Sequence, residues 1–357
     1  IAPQIIFGAM GAKGKLPVSI DDEFKVNEGI ETLEIKRLGF TIPENVGMNS
    51  KVLTKIDSIA NYAISKKMTP GIQVVVARKG KVIYQKSFGN HTYESSQNVT
   101  NTDVYDIASL TKIIATLPNV MQEFDQGHLT LETKLKTMLP EAKNSNKANA
   151  TVLDMLTHQA RFQPWIPFYK ATLDSLNRPS THFYRTEFSD DFPIHVADKL
   201  YLRKDYNDSI VKTILDSELL PKKQYKYSDF TFILFKEYLE LHSKKSLEEL
   251  AHTNFFEPLG ANSIMYNPLR KMNSNRIIPT ENDTYFRHQL VQGYVHDMAA
   301  AMQGGISGHA GLFANALDVA KVMQMYLQKG SYGGRTYISE NTFNMFNTCY
   351  FCKEGNR

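Results

Sequence analysis

The chain has 357 residues, 42% of them hydrophobic and 22% charged, which suits a folded protein with a sizeable core and excludes a disordered or collagen-like chain. Its 41 basic residues against 37 acidic ones leave a net charge of +4, too slight for a nucleic-acid or anionic-membrane footprint, and no apolar run reaches the ~18 residues of a membrane-spanning helix. Cys349 and Cys352 are the only cysteines, which excludes a disulfide framework; their C-x-x-C spacing would suit a metal or redox pair but has no second Cys/His pair beside it. At about 150 residues per domain, the length predicts two domains or one large one.

The chain opens Ile1-Ala2-Pro3 with no initiator Met, basic n-region or signal-peptide core, so it does not report its own localisation. Residues 1–47 are rich in Gly and Pro, with short strand-like runs such as Leu16 to Ile20. They are predicted to be the end of one domain and a linker into the next, which starts at residue 48. Gly8, Gly11, Gly14 and Lys15 do not make a phosphate loop, because Ala9 and Leu16 stand where that motif needs Gly and Ser or Thr. From Asn49 the residues Val52, Leu53, Ile56, Ile59, Ala60, Ala63 and Ile64 recur at helical spacing, with Asn49 or Ser50 as the cap. Pro70-Gly71 ends that helix. Ile72–Ala77 and Val82–Phe88 flank Lys79-Gly80 and predict a β-hairpin, hence antiparallel rather than parallel pairing. Residues 109 to 260 are predicted to be largely helical with long polar loops, for example Phe230 to Leu241 and the Leu247-Glu248-Glu249-Leu250 stretch. The expected fold is mixed α and β: an antiparallel sheet flanked by helices plus a mainly helical subdomain.

Within Asp106-Ile107-Ala108-Ser109-Leu110-Thr111-Lys112 lies an S-x-x-K. On a helix, positions i and i+3 share a face, so the Ser hydroxyl and the Lys amine can meet. A Ser hydroxyl needs a neighbour to take its proton, and a lysine desolvated among Ile107, Ile113 and Ile114 could do so. A helix start adds free N–H groups and the positive dipole end for a developing oxyanion. A second S-x-x-K, Ser209 to Lys212, follows the capping pair Asn207-Asp208 and predicts a solvated helix instead. Tyr227-Ser228-Asp229 offers a tyrosine able to pass a proton to a leaving group. It reads equally as a tyrosine packed ahead of a helix capped by Ser228 or Asp229.

Ser109-Leu110-Thr111-Lys112 in its Asp-Ile-Ala setting, followed over a hundred residues later by Tyr-Ser-Asp, resembles the serine β-lactamase and DD-peptidase family, in particular its class C-like, esterase-containing branch. Leu156-Thr157-His158-Gln159-Ala160, Phe256-Glu257-Pro258-Leu259-Gly260 and Gly308-His309-Ala310-Gly311-Leu312-Phe313 agree with it, so the resemblance covers about residues 48 to 357. Residues 1–47, with Phe7-Gly8 and Gly14 to Val18, resemble the tail of a family 3 glycoside hydrolase of the N-acetylglucosaminidase type found fused to such domains. The resemblance implies Ser109 as acyl-accepting nucleophile, Lys112 as general base and Tyr227 as second proton-transfer group. It also implies an ester, β-lactam or D-alanyl peptide substrate from bacterial cell-wall metabolism, a periplasmic or exported location, and no cofactor or metal.

Two departures bear on substrate. Where the family's Y-x-N ends in Asn, this chain has Asp229, which when ionised accepts but cannot donate a hydrogen bond; Ala160-Arg161-Phe162 replaces the usual Ser-Gly-Leu. Both favour an ester or unusual peptide over a penicillin-type amide. The family's third motif, K-T-G or H-x-G on a strand, has the letters His309-Ala310-Gly311. The residues after Asn315 carry helix periodicity, so no following strand is expected, the domain is expected to be incomplete at its C-terminus, and His309 is read as supporting a turn. By the resemblance Asp229 is read as a substrate contact, and Trp165, the only Trp, either walls a substrate cleft or caps the core. His158 and the pair His296-Asp297 are read as structural, since Ser109 already has a lysine at helical reach. The alternative to an enzyme is a catalytically weak penicillin-binding or scaffold module beside a glycosidase.

Overall fold

The computed structural model describes residues 2–352. Helix α1 (Ser50–Ser65) starts where the Asn49 side chain accepts the Val52 N–H, one of the two caps that the sequence offers. Leu53 and Ala60 are buried and Ile56 packs beside Leu53, but Val52 and Ile59 face solvent, so the buried face is narrower than the apolar spacing suggests. After Pro70, strands β2 (Gly71–Arg78) and β3 (Lys81–Gly89) pair antiparallel from Gly71↔Gly89 to Arg78↔Lys81. Their two-residue turn needs positive φ at both positions, and Lys79 (51°) and Gly80 (72°) supply it. A short strand β1 (Gly39–Phe40) adds parallel to β3, giving the order β1-β3-β2. α1 packs on this sheet through Val46, Leu53 and Ile83. Before β1 the described chain is mostly exposed, and the Leu16–Ile20 run yields single bridges such as Ile20↔Phe24 rather than a strand.

The second layer is helical. A π-helical turn (Lys112–Thr116) runs directly into α2 (Leu117–Asp125). It is followed by α3 (Val152–Leu156), α4 (Tyr206–Asp216) and α5 (Phe230–Ser243). α5 is the spine of the core. Phe230, Ile233, Leu234, Phe235 and Leu239 are all buried, as befits a helix apolar around most of its circumference. Each such side chain contributes roughly 1.5–3 kcal/mol by leaving water.

Inside the region predicted to be helical, β5 (Tyr184–Arg185), β6 (Ile194–Ala197) and β7 (Leu200–Leu202) form a small antiparallel sheet. Strands of two to four residues are too short to show a period. Downstream, β8 (Met265–Tyr266) and β9 (Leu312–Ala314) complete a third sheet with β4 (Tyr105–Asp106), in the order β4-β9-β8. Helices α6 (Met298–Met302), α7 (Ala316–Leu327) and α8 (Glu340–Phe346) close the structure. The result is the mixed architecture expected, with small antiparallel sheets between helices. α7 lies beside β2 across an apolar groove of about 680 Å³ lined by Val75, Ala77, Val319 and Met323. The two cysteines are bonded to each other, a clasp within one turn. No helix of the described residues is long and apolar enough to cross a membrane.

Candidate active site

Strand β4 delivers the chain to the site and ends on Asp106. The Asp106 carboxylate accepts the N–H of Ala108 (2.7 Å) and of His296 (2.6 Å). Burial pushes this carboxyl up from its ordinary value, and the two N–H donors pull it back. The Ala108 bond holds that residue at φ +45°, a left-handed conformation costing about 1 kcal/mol or more in a non-glycine residue. Ser109 therefore stands just ahead of the helix, exposed, and its own N–H meets no acceptor among the described residues. Three residues on, Lys112 opens the π-helical turn, a local irregularity often found at functional sites.

Lys112 is only 3% exposed. Its Nζ lies 2.9 Å from Ser109 Oγ, 3.1 Å from the His309 carbonyl oxygen and 2.7 Å from Asp229 Oδ1. One buried amine thus gathers three separate stretches of chain.

The second stretch is Tyr227-Ser228-Asp229, at the head of α5. Ser228 is its anchor: the hydroxyl donates to the Gln163 carbonyl (2.6 Å) and accepts the Phe230 N–H, while the Ser228 N–H donates to His158 Nδ1 (3.2 Å). Asp229 occupies the N-cap position of α5 but its side chain caps nothing; the carboxylate goes to Lys112 instead. Tyr227 is 40% exposed, with its ring centroid 5.0 Å from Lys112 Nζ and 4.7 Å from the His158 ring. His158 has φ +56°, and burial followed by the positive charge of Lys112 lowers its pKa to about 4. It is a neutral ring, and the bond at Nδ1 assigns its hydrogen to Nε2.

The third stretch is Gly308-His309. The Thr116 hydroxyl donates to the Gly308 carbonyl (2.7 Å), and a Cβ at Gly308 would lie 1.9 Å from the Phe232 carbonyl oxygen, so only glycine fits. The His309 ring is buried between Ser307 Oγ and Asp297 Oδ1, each 2.8 Å away, and only its carbonyl faces the site. Burial works to raise the Asp297 pKa, but His309 and the Ala300 N–H outweigh it and hold the carboxyl well below its usual range. Beyond Gly311 comes β9, antiparallel to β4. The expectation that no strand follows His309-Ala310-Gly311 is therefore corrected: three strand residues precede the helix that the periodicity after Asn315 indicates.

The fold brings Ser109 and Lys112 together with Tyr227 and Asp229, more than a hundred residues later in the sequence. A pocket of about 310 Å³ opens at Ser109, walled by His158, Tyr227, Phe232, Phe346 and Tyr350. Trp165, 54% exposed, borders a separate small cavity with Asp229, Asp297 and His309. His296 and Asp297 serve the scaffold: one gives its N–H to Asp106, the other caps α6 and pairs with His309. Sequence reasoning missed Asp106, Ser228 and Asp297 as supports. An acidic residue three positions before the serine was the only available signal for the first.

Compared with known proteins, the chain is 28% identical over 331 residues to an N-acetylmuramyl-L-alanine amidase of Bacillus subtilis (strain 168), covering 85% of this chain and 69% of that protein. It is 26% identical to a candidate D-alanyl-D-alanine carboxypeptidase of Escherichia coli (strain K12), over 86% of this chain and 71% of that one. Among solved structures, an octameric penicillin-binding protein homologue from Pyrococcus abyssi superposes with a TM-score of 0.60 at 21% identity, covering 84% of this chain and 60% of that chain. The chain thus spans less than two thirds of that archaeal protein. The Beta-lactamase family model matches residues 60–348, a stretch that takes in Ser109, Lys112, Tyr227, Asp229 and the Gly308-His309 turn. Because one family pattern runs through all three stretches that meet at Lys112, the protein belongs to the beta-lactamase family.

Proposed function

We propose that the protein is a serine hydrolase that works through an acyl-enzyme on Ser109. The observation that carries this reading is the 2.9 Å contact between Ser109 Oγ and the buried Lys112 Nζ at the open end of a helix. Lys112, in its neutral form, takes the Ser109 proton as Oγ attacks the substrate carbonyl. The free Ser109 N–H, aided by the helix dipole, stabilises the oxyanion. Tyr227, at the edge of the same pocket, passes a proton to the leaving group. Water then attacks the acyl carbon, and the acid leaves as the proton returns to Ser109.

The names of the relatives support a cell-wall acyl substrate such as a D-alanyl peptide; the resemblance read from the sequence extends this to a related ester or β-lactam and to a periplasmic or exported site of action. Residues 1–47 precede the family match, and their exposure supports the reading that they belong to a preceding domain, of family 3 glycoside hydrolase type by resemblance. The Asp229 carboxylate on Lys112 favours a second reading, a slow acyl acceptor that binds rather than turns over. Labelling with a fluorescent penicillin and a fluorophosphonate, followed by turnover of nitrocefin, p-nitrophenyl acetate and a D-alanyl-D-alanine peptide, separates the two. Label with turnover supports the hydrolase; label without turnover supports the binding module; no label on Ser109 sinks both.

A further inference from the structure

At the far end of the two helices that carry the site, Glu123 of α2, His128 just beyond it and His242 in the last turn of α5 converge. Gly127, at φ +75°, ends α2 in a left-handed turn, and the His128 N–H folds back onto the Glu123 carbonyl (2.9 Å). That turn brings His128 Nδ1 to 3.1 Å from Glu123 Oε2. His242 Nε2 approaches the same oxygen at 3.6 Å, too long for a hydrogen bond, and the two imidazole centroids are 4.7 Å apart. All three ligand atoms lie within 4.8 Å of one another. The Glu123 side chain is largely buried and is oriented by the Tyr238 hydroxyl, which donates to it at 3.0 Å. Tyr238, one turn before His242, also stacks on that histidine at 5.6 Å and 17°.

We propose that Glu123, His128 and His242 form a site for a divalent metal of the zinc class. Two imidazoles and a carboxylate are a borderline-soft donor set that suits zinc better than calcium or magnesium. A tetrahedral ion about 2.0–2.1 Å from each ligand sets the ligand atoms roughly 3.3 Å apart; the two distances to Glu123, 3.1 and 3.6 Å, bracket that spacing, and the imidazole pair lies within 4.8 Å. The Tyr238 hydroxyl is the kind of outer partner that holds a ligating carboxylate in place. Both histidines are about half exposed, so the ion can enter and water completes its coordination. The site lies about 20 Å along α5 from Asp229, so it acts as a clamp on the helix ends rather than on the reaction.

The experiment uses the full chain, stripped with EDTA, its cysteines kept as the disulfide so that they cannot bind the ion. Zinc chloride is titrated by calorimetry, and cobalt(II) serves as the optical probe. The expected result is one equivalent of zinc, visible cobalt bands of a low-coordinate nitrogen and oxygen site, and a thermal midpoint raised by a few degrees at saturation. His128→Gln and His242→Gln should each weaken binding at least tenfold and abolish the thermal shift, while His182→Gln, elsewhere on the surface, should do neither. Absence of saturable zinc binding, or binding that survives both histidine substitutions, would overturn the proposal.

Discussion

The S-x-x-K at Ser109 starts a helix behind a left-handed alanine, whereas the one at Ser209 runs inside the regular helix α4. Ser209 turns its hydroxyl back to the Asp205 carbonyl (3.3 Å) and Lys212 pairs with Asp216 one turn on, both lysine and aspartate well exposed. Each side chain there finds its partner within its own helix or cap, with no hydrogen bond between the serine and the lysine. At Ser109 the local options are removed. The Asp106–Ala108 turn places the serine ahead of the helix, and the π turn buries the lysine against α5, so besides Ser109 its partners come from distant parts of the chain. Identical spacing brings serine and lysine into contact only where the backbone departs from the regular helix and the lysine is buried.

The most severe way to break this contrast is Ser109→Ala, which should lower acylation at least about a thousandfold, read as loss of fluorophosphonate labelling. Lys112→Arg keeps the charge but gives up the ability to lose a proton, and should slow acylation about a hundredfold in single-turnover assays. An arginine variant acylating at the parent rate would make Lys112 merely electrostatic. Asp229→Asn removes a carboxylate 2.7 Å from the amine and so the attraction that favours its charged form. Acylation at neutral pH should rise up to about tenfold in the same single-turnover assay.

His158 sharpens the comparison through stability. Its pKa is about 4 in the folded chain against 6.5 for the free group, so unfolding takes up a proton between those values. Stability must therefore fall as pH drops from 6.5 to 4 and level off below. For this partly exposed ring the loss should be about 1 kcal/mol. His158→Asn tolerates the positive φ and keeps an acceptor for the Ser228 N–H, so urea midpoints across that range should flatten. Ser209→Ala should change stability by less than about 0.5 kcal/mol and leave labelling intact.

Features set by local chemistry were legible in the sequence. The Asn49 cap, the Lys79-Gly80 hairpin and the serine at a helix start follow from neighbours only a few residues away, and the structure has each. The residue types and order of Ser109, Lys112 and Tyr227 singled them out as candidates, and the fold sets Lys112 beside the other two. What depended on distant contact was not. β9 is three residues long, below the reach of any period, and its pairing with β4 exists only in the fold. Asp229 read as a cap or a substrate contact; nothing local indicates that it meets a lysine more than a hundred residues earlier. The small sheet of β5, β6 and β7 was hidden for the same reason as β9.

Gly308 shows how far the demands of the cluster around Lys112 extend beyond its side chains. Its Cα faces the Phe232 carbonyl of α5 with no room for a methyl group, while its own carbonyl is held by Thr116 and the next one along by Lys112. Any side chain there would prise the turn from both helices and carry away one of the amine's three partners. In a screen of every substitution at every position, Gly308 should therefore tolerate no replacement and score beside Ser109, although it has no functional group to offer. Mutational intolerance in this protein would map the seam between three chain segments as sharply as it maps the chemistry.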